Sequence, residues 1–327
     1  MPKVSVISPV YGVEQFVSRA AESMFSQTLE DVEFIFVDDC TPDNSIQIIK
    51  DVLDRFPERA NQVNIIRHEK NRGLPSARNS GLEAASGEYI FHWDSDDYAD
   101  PDMLERMYNY AAKEDFDIIW ADWYLTFEQR ERYMDQPSYS TTIEALKAML
   151  GGAMKYNVWN KLAKRSLYID YDIRFPDGFG MGEDMTMMLL FAHAERVSHI
   201  GKAFYHYLKT NSNAFSHGVN HKHFNDLKRN VNWITDQLRS HCCSDLSKEI
   251  NYLKLQSKYP LLANTCDKKM YRMWNEWFPE ANASIGKNPY MGKRARMLQS
   301  FAHHRQYWLV MLHYTLVSKV IYGILYR

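Results

Sequence analysis

Short apolar runs alternate with helix-period segments over the first 121 residues, and this alternation constrains the fold more than any other feature of the chain. Val4–Val10 (VSVISPV), Val32–Val37 (VEFIFV), Val63–Arg67, Tyr89–Trp93 and Asp117–Ala121 read as strands. Apolar runs of this length suit strands covered on both faces. Between them, Glu14–Gln27, Ser45–Phe56, Ser76–Ala85 and Pro101–Lys113 carry apolar residues at helical spacing, as Ile48, Ile49, Val52, Leu53 and Phe56 do. The β-α-β-α order predicts an α/β fold: a Rossmann-like, mostly parallel sheet flanked by helices, with right-handed crossovers. Residues 141–216 mix helix and loop, and the chain from His217 reads as mainly helical. The expected division is therefore 1–216 and 217–327.

Open α/β sheets bind ligands beyond the carboxyl ends of their strands. The polar clusters of this chain fall there: Pro9–Tyr11 after the first strand, Asp38-Asp39 after the second, Asp94–Asp97 after the fourth. Asp94-Ser95-Asp96-Asp97 sets three carboxylates in four residues. Such a group repels itself unless a divalent cation or solvent compensates. Mg²⁺ and Mn²⁺ commonly take one or two carboxylates and complete their shells with water and phosphate oxygens. The segment reads as a metal–diphosphate site or as a solvated acidic turn before the helix at Pro101.

Three further segments stand out. In Val37–Ser45 (VDDCTPDNS), Asp43, Asn44 or Ser45 suits a helix cap. The paired carboxylates at the strand end suit a base N–H or a ribose hydroxyl, or are structural. In Asn71–Gly81 (NRGLPSARNSG), Arg72 and Arg78 either face a diphosphate, which the guanidinium fork fits, or lie on an ordinary surface loop. Gly182-Glu183-Asp184 closes a stretch with Gly178 and Gly180, flexible as a lid would be. Its acids offer a general base, or the favoured charges of a helix N-terminus.

Taken together, SVISPVYG, VDDCTPDNS, NRGLPSARNSGL, DSDD and GED, in this order over residues 3–190, resemble the family 2 glycosyltransferases. VWNKLAKRSLY (Val158–Tyr168) looks like a segment of the members that synthesise bacterial polysaccharide and lipopolysaccharide. The resemblance implies a glycosyltransferase A-type fold and inverting transfer from a nucleotide sugar, by family habit a uridine diphosphate sugar, to a glycan or lipid-linked hydroxyl. It implies that Pro9, Tyr11 and Asp39 contact the base, Arg78 the nucleotide and Asp94 the ribose side, with Glu14 and Ser95 in the same nucleotide-binding set. It implies that Asp96 with Asp97 holds a divalent metal (Mn²⁺ or Mg²⁺), and that Asp184 is the base with Glu183 beside it. Family members often carry an aromatic-Arg element after the sheet. Here Phe204–Lys209 places Leu208 where that Arg is expected, which turns attention to His206, Lys209 or His217 as the missing contact.

Other classes fit less well. Neither GxGxxG nor GxxxxGK[ST] is present, against dehydrogenase and P-loop readings. SPVYGVEQ (8–15) lacks the glycine-rich basic loop that a sugar nucleotidyltransferase needs. A non-catalytic nucleotide-sugar-binding protein of the same fold is the alternative that survives. No nucleic-acid partner is expected.

The four cysteines show no CxxC spacing, which fits a reducing compartment. No apolar signal segment precedes Val4, so cytoplasmic synthesis is expected. From Ala281 to Arg327 there are seven Lys or Arg and no acid, leaving 32 basic against 41 acidic residues in the rest. Within that basic tail, Tyr307–Tyr326 is apolar and aromatic. Twenty residues are enough to span a bilayer, but His313, Lys319 and Gly323 argue against an easy span. The segment reads first as an interfacial helix, bringing residues 293–327 to the inner face of the cell membrane, or as a helix packed on the body or a partner.

Overall fold

β1 (Val4–Val10) is the strand on which the rest of the sheet is ordered, and Val4, Val6, Ile7 and Val10 are all fully buried. The computed structural model describes residues 1–211, 221–241 and 245–317. After β1 come α1 (Val17–Phe25), β2 (Val32–Asp38), α2 (Ser45–Leu53), β3 (Val63–Arg67), α3 (Leu74–Ala84), β4 (Tyr89–His92) and β5 (Tyr98–Ala99). α4 (Met103–Lys113), β6 (Ile118–Thr126), β7 (Glu131–Met134), α5 (Thr142–Gly151), β8 (Lys161–Lys164), α6 (Arg165–Asp170), α7 (Thr186–His193) and β9 (Val197–Leu208) follow. The strand order is β3-β2-β1-β4-β8-β6-β9-β5, with β7 paired to β6. β3, β2, β1 and β4 are parallel. β8 runs antiparallel between β4 and β6, and β9 is parallel to β6. The result is the expected mostly parallel sheet flanked by helices.

Because β1, β2 and β4 are parallel, their carboxyl ends share one edge. The register pairs Val10 with Asp38 and Ile7 with His92. That places Tyr11, Asp39 and Asp94 just beyond adjacent strands. α3 lies against β1 closely enough to require a small residue: a Cβ on Gly81 would come within 2.3 Å of Ile7 Cγ2. The run of small residues in α3 is therefore a packing requirement.

β8 and β9 differ from the mixed helix and loop expected over 141–216. β9 carries His199, Lys202 and His206 among its apolar residues, and its pairing to β6 shifts register at Ala121–Trp123. These interruptions hide a twelve-residue strand. The aromatics it brings in form a wall beside β4: Trp159 stacks on Tyr205 and Tyr207 with centroids 5.0 Å from each, and Trp93 packs edge-on to Tyr205.

Downstream, the described helices are α8 (His221–His241), α9 (Ser247–Lys258), α10 (Pro260–Ala263), α11 (Lys268–Glu276), α12 (Lys293–His303) and α13 (Tyr307–Tyr314), the expected helical C-terminal region. The chain clusters into two compact units, Met1–Ala145 with Tyr156–Asp226, and Leu146–Lys155 with Leu227–Arg327. The second is held by buried anchors of its own. Lys258 donates to Asn282 Oδ1 (2.6 Å) and to the Trp277 carbonyl (2.7 Å) beneath the Trp274 ring.

Candidate active site

The acidic segment after β4 is built by alternation. Asp94 and Asp96 are half-exposed, while Ser95 and Asp97 are buried. Ser95 Oγ donates to the Pro9 carbonyl (2.7 Å), tying the end of β4 to the end of β1. Asp97, 1% exposed, accepts from the Leu208 N–H at 2.8 Å. One carboxylate oxygen is thus held by the wall, while Oδ2 is buried beside Asp96 without a hydrogen-bond partner among the described residues. Leu208, which stands where an Arg was expected, serves this wall through its backbone. Burial raises the Asp96 carboxyl above its ordinary value, and an Asn211 hydrogen bond (2.7 Å) opposes the shift. Asp94 is raised by burial and by the neighbouring Asp96 and Asp184 charges, against the pull of Arg78.

Arg78 is the centre of the arrangement. It is 2% exposed, not on a surface loop, and its fork meets three carboxylates: Asp184 at 2.6 Å, Glu183 at 3.2 Å and Asp94 at 3.2 Å. Burial alone would lower the guanidinium, but the Asp184, Asp94 and Glu183 charges outweigh it and raise it. Arg78 therefore joins the β4 end to the Gly182-Glu183-Asp184 turn. Arg72 is exposed, and its backbone N–H donates to Asp39.

α3 also fixes the approach to that turn. Asn79 exchanges hydrogen bonds with the Phe175 backbone, at 2.9 Å in each direction, and Ser76 Oγ reaches Asp177 (3.0 Å). Gly182 then adopts φ +90°, a left-handed conformation that swings Glu183 and Asp184 onto Arg78. Burial, then the Asp184 charge, push the Glu183 carboxyl up. Asp184 keeps about a quarter of its side chain exposed, so of the two acids it is the more open to an acceptor.

The remaining expected residues divide. Tyr11 is 51% exposed and free to lie on a base, and Pro9 is half-exposed beside it. Asp39 is buried and accepts from His68 Nδ1 (2.7 Å), Arg72 N and Gly73 N (2.8 Å each), so it orders the loop before α3. Glu14 accepts from Asn44 N (3.2 Å) and joins the loops after β1 and β2. His206 faces away, between Glu131 (2.6 Å) and Asp100 (3.3 Å). Lys209 lies over the Tyr207 ring, and its charge pulls on Asp96. His217 lies outside the described residues.

Asn211, Tyr205 and Lys161 were not singled out from sequence. Tyr205 hydroxyl accepts from the Asp94 N–H (3.1 Å). Lys161, buried in β8, is lowered to about 7 by desolvation, with Asp184 opposing. The quoted VWNKLAKRSLY segment held the signal for Lys161. Asn211 follows the aromatic-basic stretch by two residues.

Residues 5–190 match the model for glycosyl transferase family 2, and the chain belongs to that family. Among curated proteins it is similar to the uncharacterized glycosyltransferase EpsJ of Bacillus subtilis (strain 168), 33% identical over 215 residues, 63% of this chain and 61% of that protein. The match thus spans about three fifths of that relative's length. It is also similar to the cholesterol galactosyltransferase of Borreliella burgdorferi, 29% identical over 295 residues, covering 84% of this chain and 80% of that one. Among solved structures, S. aureus TarS 1–349 in complex with UDP-GlcNAc aligns over 95% of this chain and 91% of its own, with TM-score 0.71 and 19% identity. That likeness is one of fold.

Proposed function

We propose that the chain is an inverting glycosyltransferase that moves a sugar from a nucleoside diphosphate, with uridine diphosphate the first candidate, to a hydroxyl of a glycan or lipid-linked acceptor. The setting is cell-surface polysaccharide synthesis at the cytoplasmic face of a membrane. One observation carries the reading: Arg78 brings Asp94, the first acid after β4, and the Glu183–Asp184 turn into one cluster. A hexosyl or N-acetylhexosaminyl donor fits the same reading, supported by the galactosyltransferase relative and the UDP-GlcNAc in the TarS complex.

Residues 1–216 would be the donor-binding domain and 217–327 the helical appendage. Tyr11 and Pro9 present a surface for the base, while Asp39, Glu14 and Ser95 hold the loops that shape its cleft. Among the described residues no three His, Cys, Asp or Glu converge as a metal cage. Asp96, with the buried and partly unpartnered Asp97 beside it, would nonetheless offer hard carboxylates for Mn²⁺ or Mg²⁺ shared with phosphate oxygens, and Asp94 lies in the same turn. When bound, the ion would neutralise charge on the leaving diphosphate. Asp184 takes the proton of the acceptor hydroxyl. The oxygen forms its bond to the anomeric carbon as the carbon–phosphate oxygen bond breaks on the opposite face, and one displacement inverts that centre. Arg78 orients the Asp184 carboxylate through Nη1, which Glu183 shares, and holds Asp94 through Nη2.

The test is release of nucleoside diphosphate from a panel of nucleotide sugars with Mn²⁺ or Mg²⁺, with and without glycan acceptors. An enzyme of this kind consumes one donor, stops on chelation, and loses about 10²–10⁴ in turnover as D184N while still binding donor. Equal behaviour of the parent chain and D184N, with donor bound and never consumed, would support the non-catalytic binding protein instead.

A further inference from the structure

α13 is apolar around most of its circumference (YWLVMLHY). Such a helix is ordinarily buried, either in a core or in lipid. Val310 is fully buried and Tyr307 accepts a hydrogen bond from Asn275 (2.9 Å), so one side packs on the second unit. The opposite side stays open: Trp308 is 65% exposed, Leu312 49% and Leu316, just past the helix, 50%. Their four-residue spacing keeps them on one face, and Met297 of α12 is exposed as well. No helix among the described residues is long and apolar enough to cross a membrane.

Exposed cations accompany this stripe. Lys293, Arg294 and Arg296 on α12 and Arg305 in the turn are all exposed. Arg294 Nε donates to His313 of α13 (3.0 Å), which holds that cation beside the apolar helix. No Asp or Glu occurs from Ala281 to Arg327. A second copy docked two-fold on the same face would set these cations against themselves. An anionic bilayer meets both features, with lipid tails at the boundary taking Trp308, Leu312 and Leu316 and headgroup phosphates taking the cations.

We infer that the α12–α13 face, with Trp308, Leu312 and Leu316 as its apolar anchors and Lys293, Arg294, Arg296 and Arg305 as its cations, docks the protein on an anionic lipid surface. The inference deepens the membrane setting proposed above and rests on it for its purpose. It gives that setting a surface and a lipid class.

The test is co-sedimentation of the full chain, without donor, with vesicles of phosphatidylcholine alone or with about one third phosphatidylglycerol, at about 0.1 M and about 0.5 M salt. The full chain should pellet with the anionic vesicles at low salt and release at high salt. The triple variant W308S/L312S/L316S should lose at least about tenfold in partition. R294E/R296E should lose about 25-fold or more, on anionic vesicles only, at about fivefold for each basic residue. Unchanged circular dichroism and nucleotide-sugar binding would show that both variants fold. No partition into anionic vesicles at low salt, or equal binding to both vesicle types, overturns the inference. So does an oligomer that the triple variant dissociates, because a second copy would then cover the face. A chain that binds donor but no vesicle sinks only this inference. One that binds vesicles but no donor sinks only the reading of the active site.

Discussion

Arg78 sets one buried positive charge against the Asp94, Glu183 and Asp184 side chains, and removing it would leave this acidic cluster without that charge. Breaking a buried ion pair from one side costs about 3–5 kcal/mol. R78A should therefore lower stability by that order in urea unfolding, whereas R72A, at an exposed side chain, should stay within about 0.5 kcal/mol. A similar loss in both would contradict the central role of Arg78. From the sequence these arginines are two basic residues of one motif, because burial is a property of α3 against the sheet and not of local spacing. Glu183 carries the pH signature of the cluster. Burial and the Asp184 charge raise it, so over a window above its ordinary value of 4.5 the folded chain holds a proton that the unfolded chain has lost. Stability then falls as pH rises through that window. E183Q, neutral throughout, should lose this decline, and its thermal midpoint relative to the parent should climb between pH 5 and 9. A constant difference across that range would rule out the raised Glu183.

The segment from α3 to α7 shows how elements carry the site. α3 clamps Phe175 and Asp177, and Gly182 then turns the chain at φ +90°. A side chain there costs about 1–2 kcal/mol of strain, and displacing a base by about 1 Å can cost 10²-fold in rate. G182A should thus lower turnover by about 100-fold with a modest loss of thermal midpoint. Turnover that falls no further than stability would argue against Asp184 as base. The strands of the parallel half were legible because their apolar residues lie close together between helix-period segments: β1 spans Val4–Val10 and β3 Val63–Arg67, the expected bounds. β9 was not legible, since His199, Lys202 and His206 interrupt its pattern. His206 is instead satisfied between Tyr98 and Tyr124, with Glu131 and Asp100 at its nitrogens. The alternation after β4 was likewise hidden. DSDD reads as three equivalent acids until the backbone turns Asp97 inward onto the Leu208 N–H.

For the molecule as a whole, the order of motifs foretold an α/β body with a helical C-terminal region. Which acids would meet Arg78, and which surface would stay apolar, required three dimensions. The body is acidic and the tail basic, and the two features belong to different tasks in this account: donor chemistry in the α/β unit and lipid docking on α12–α13. The donor site is the central claim. Calorimetric titration of nucleoside diphosphate sugars into the full chain, with and without Mn²⁺ or Mg²⁺, tests it most directly. Saturable binding of one donor class is expected, strengthening with the metal and losing that metal dependence in D96A. No binding of any nucleotide sugar, with metal and a folded chain confirmed, would contradict it.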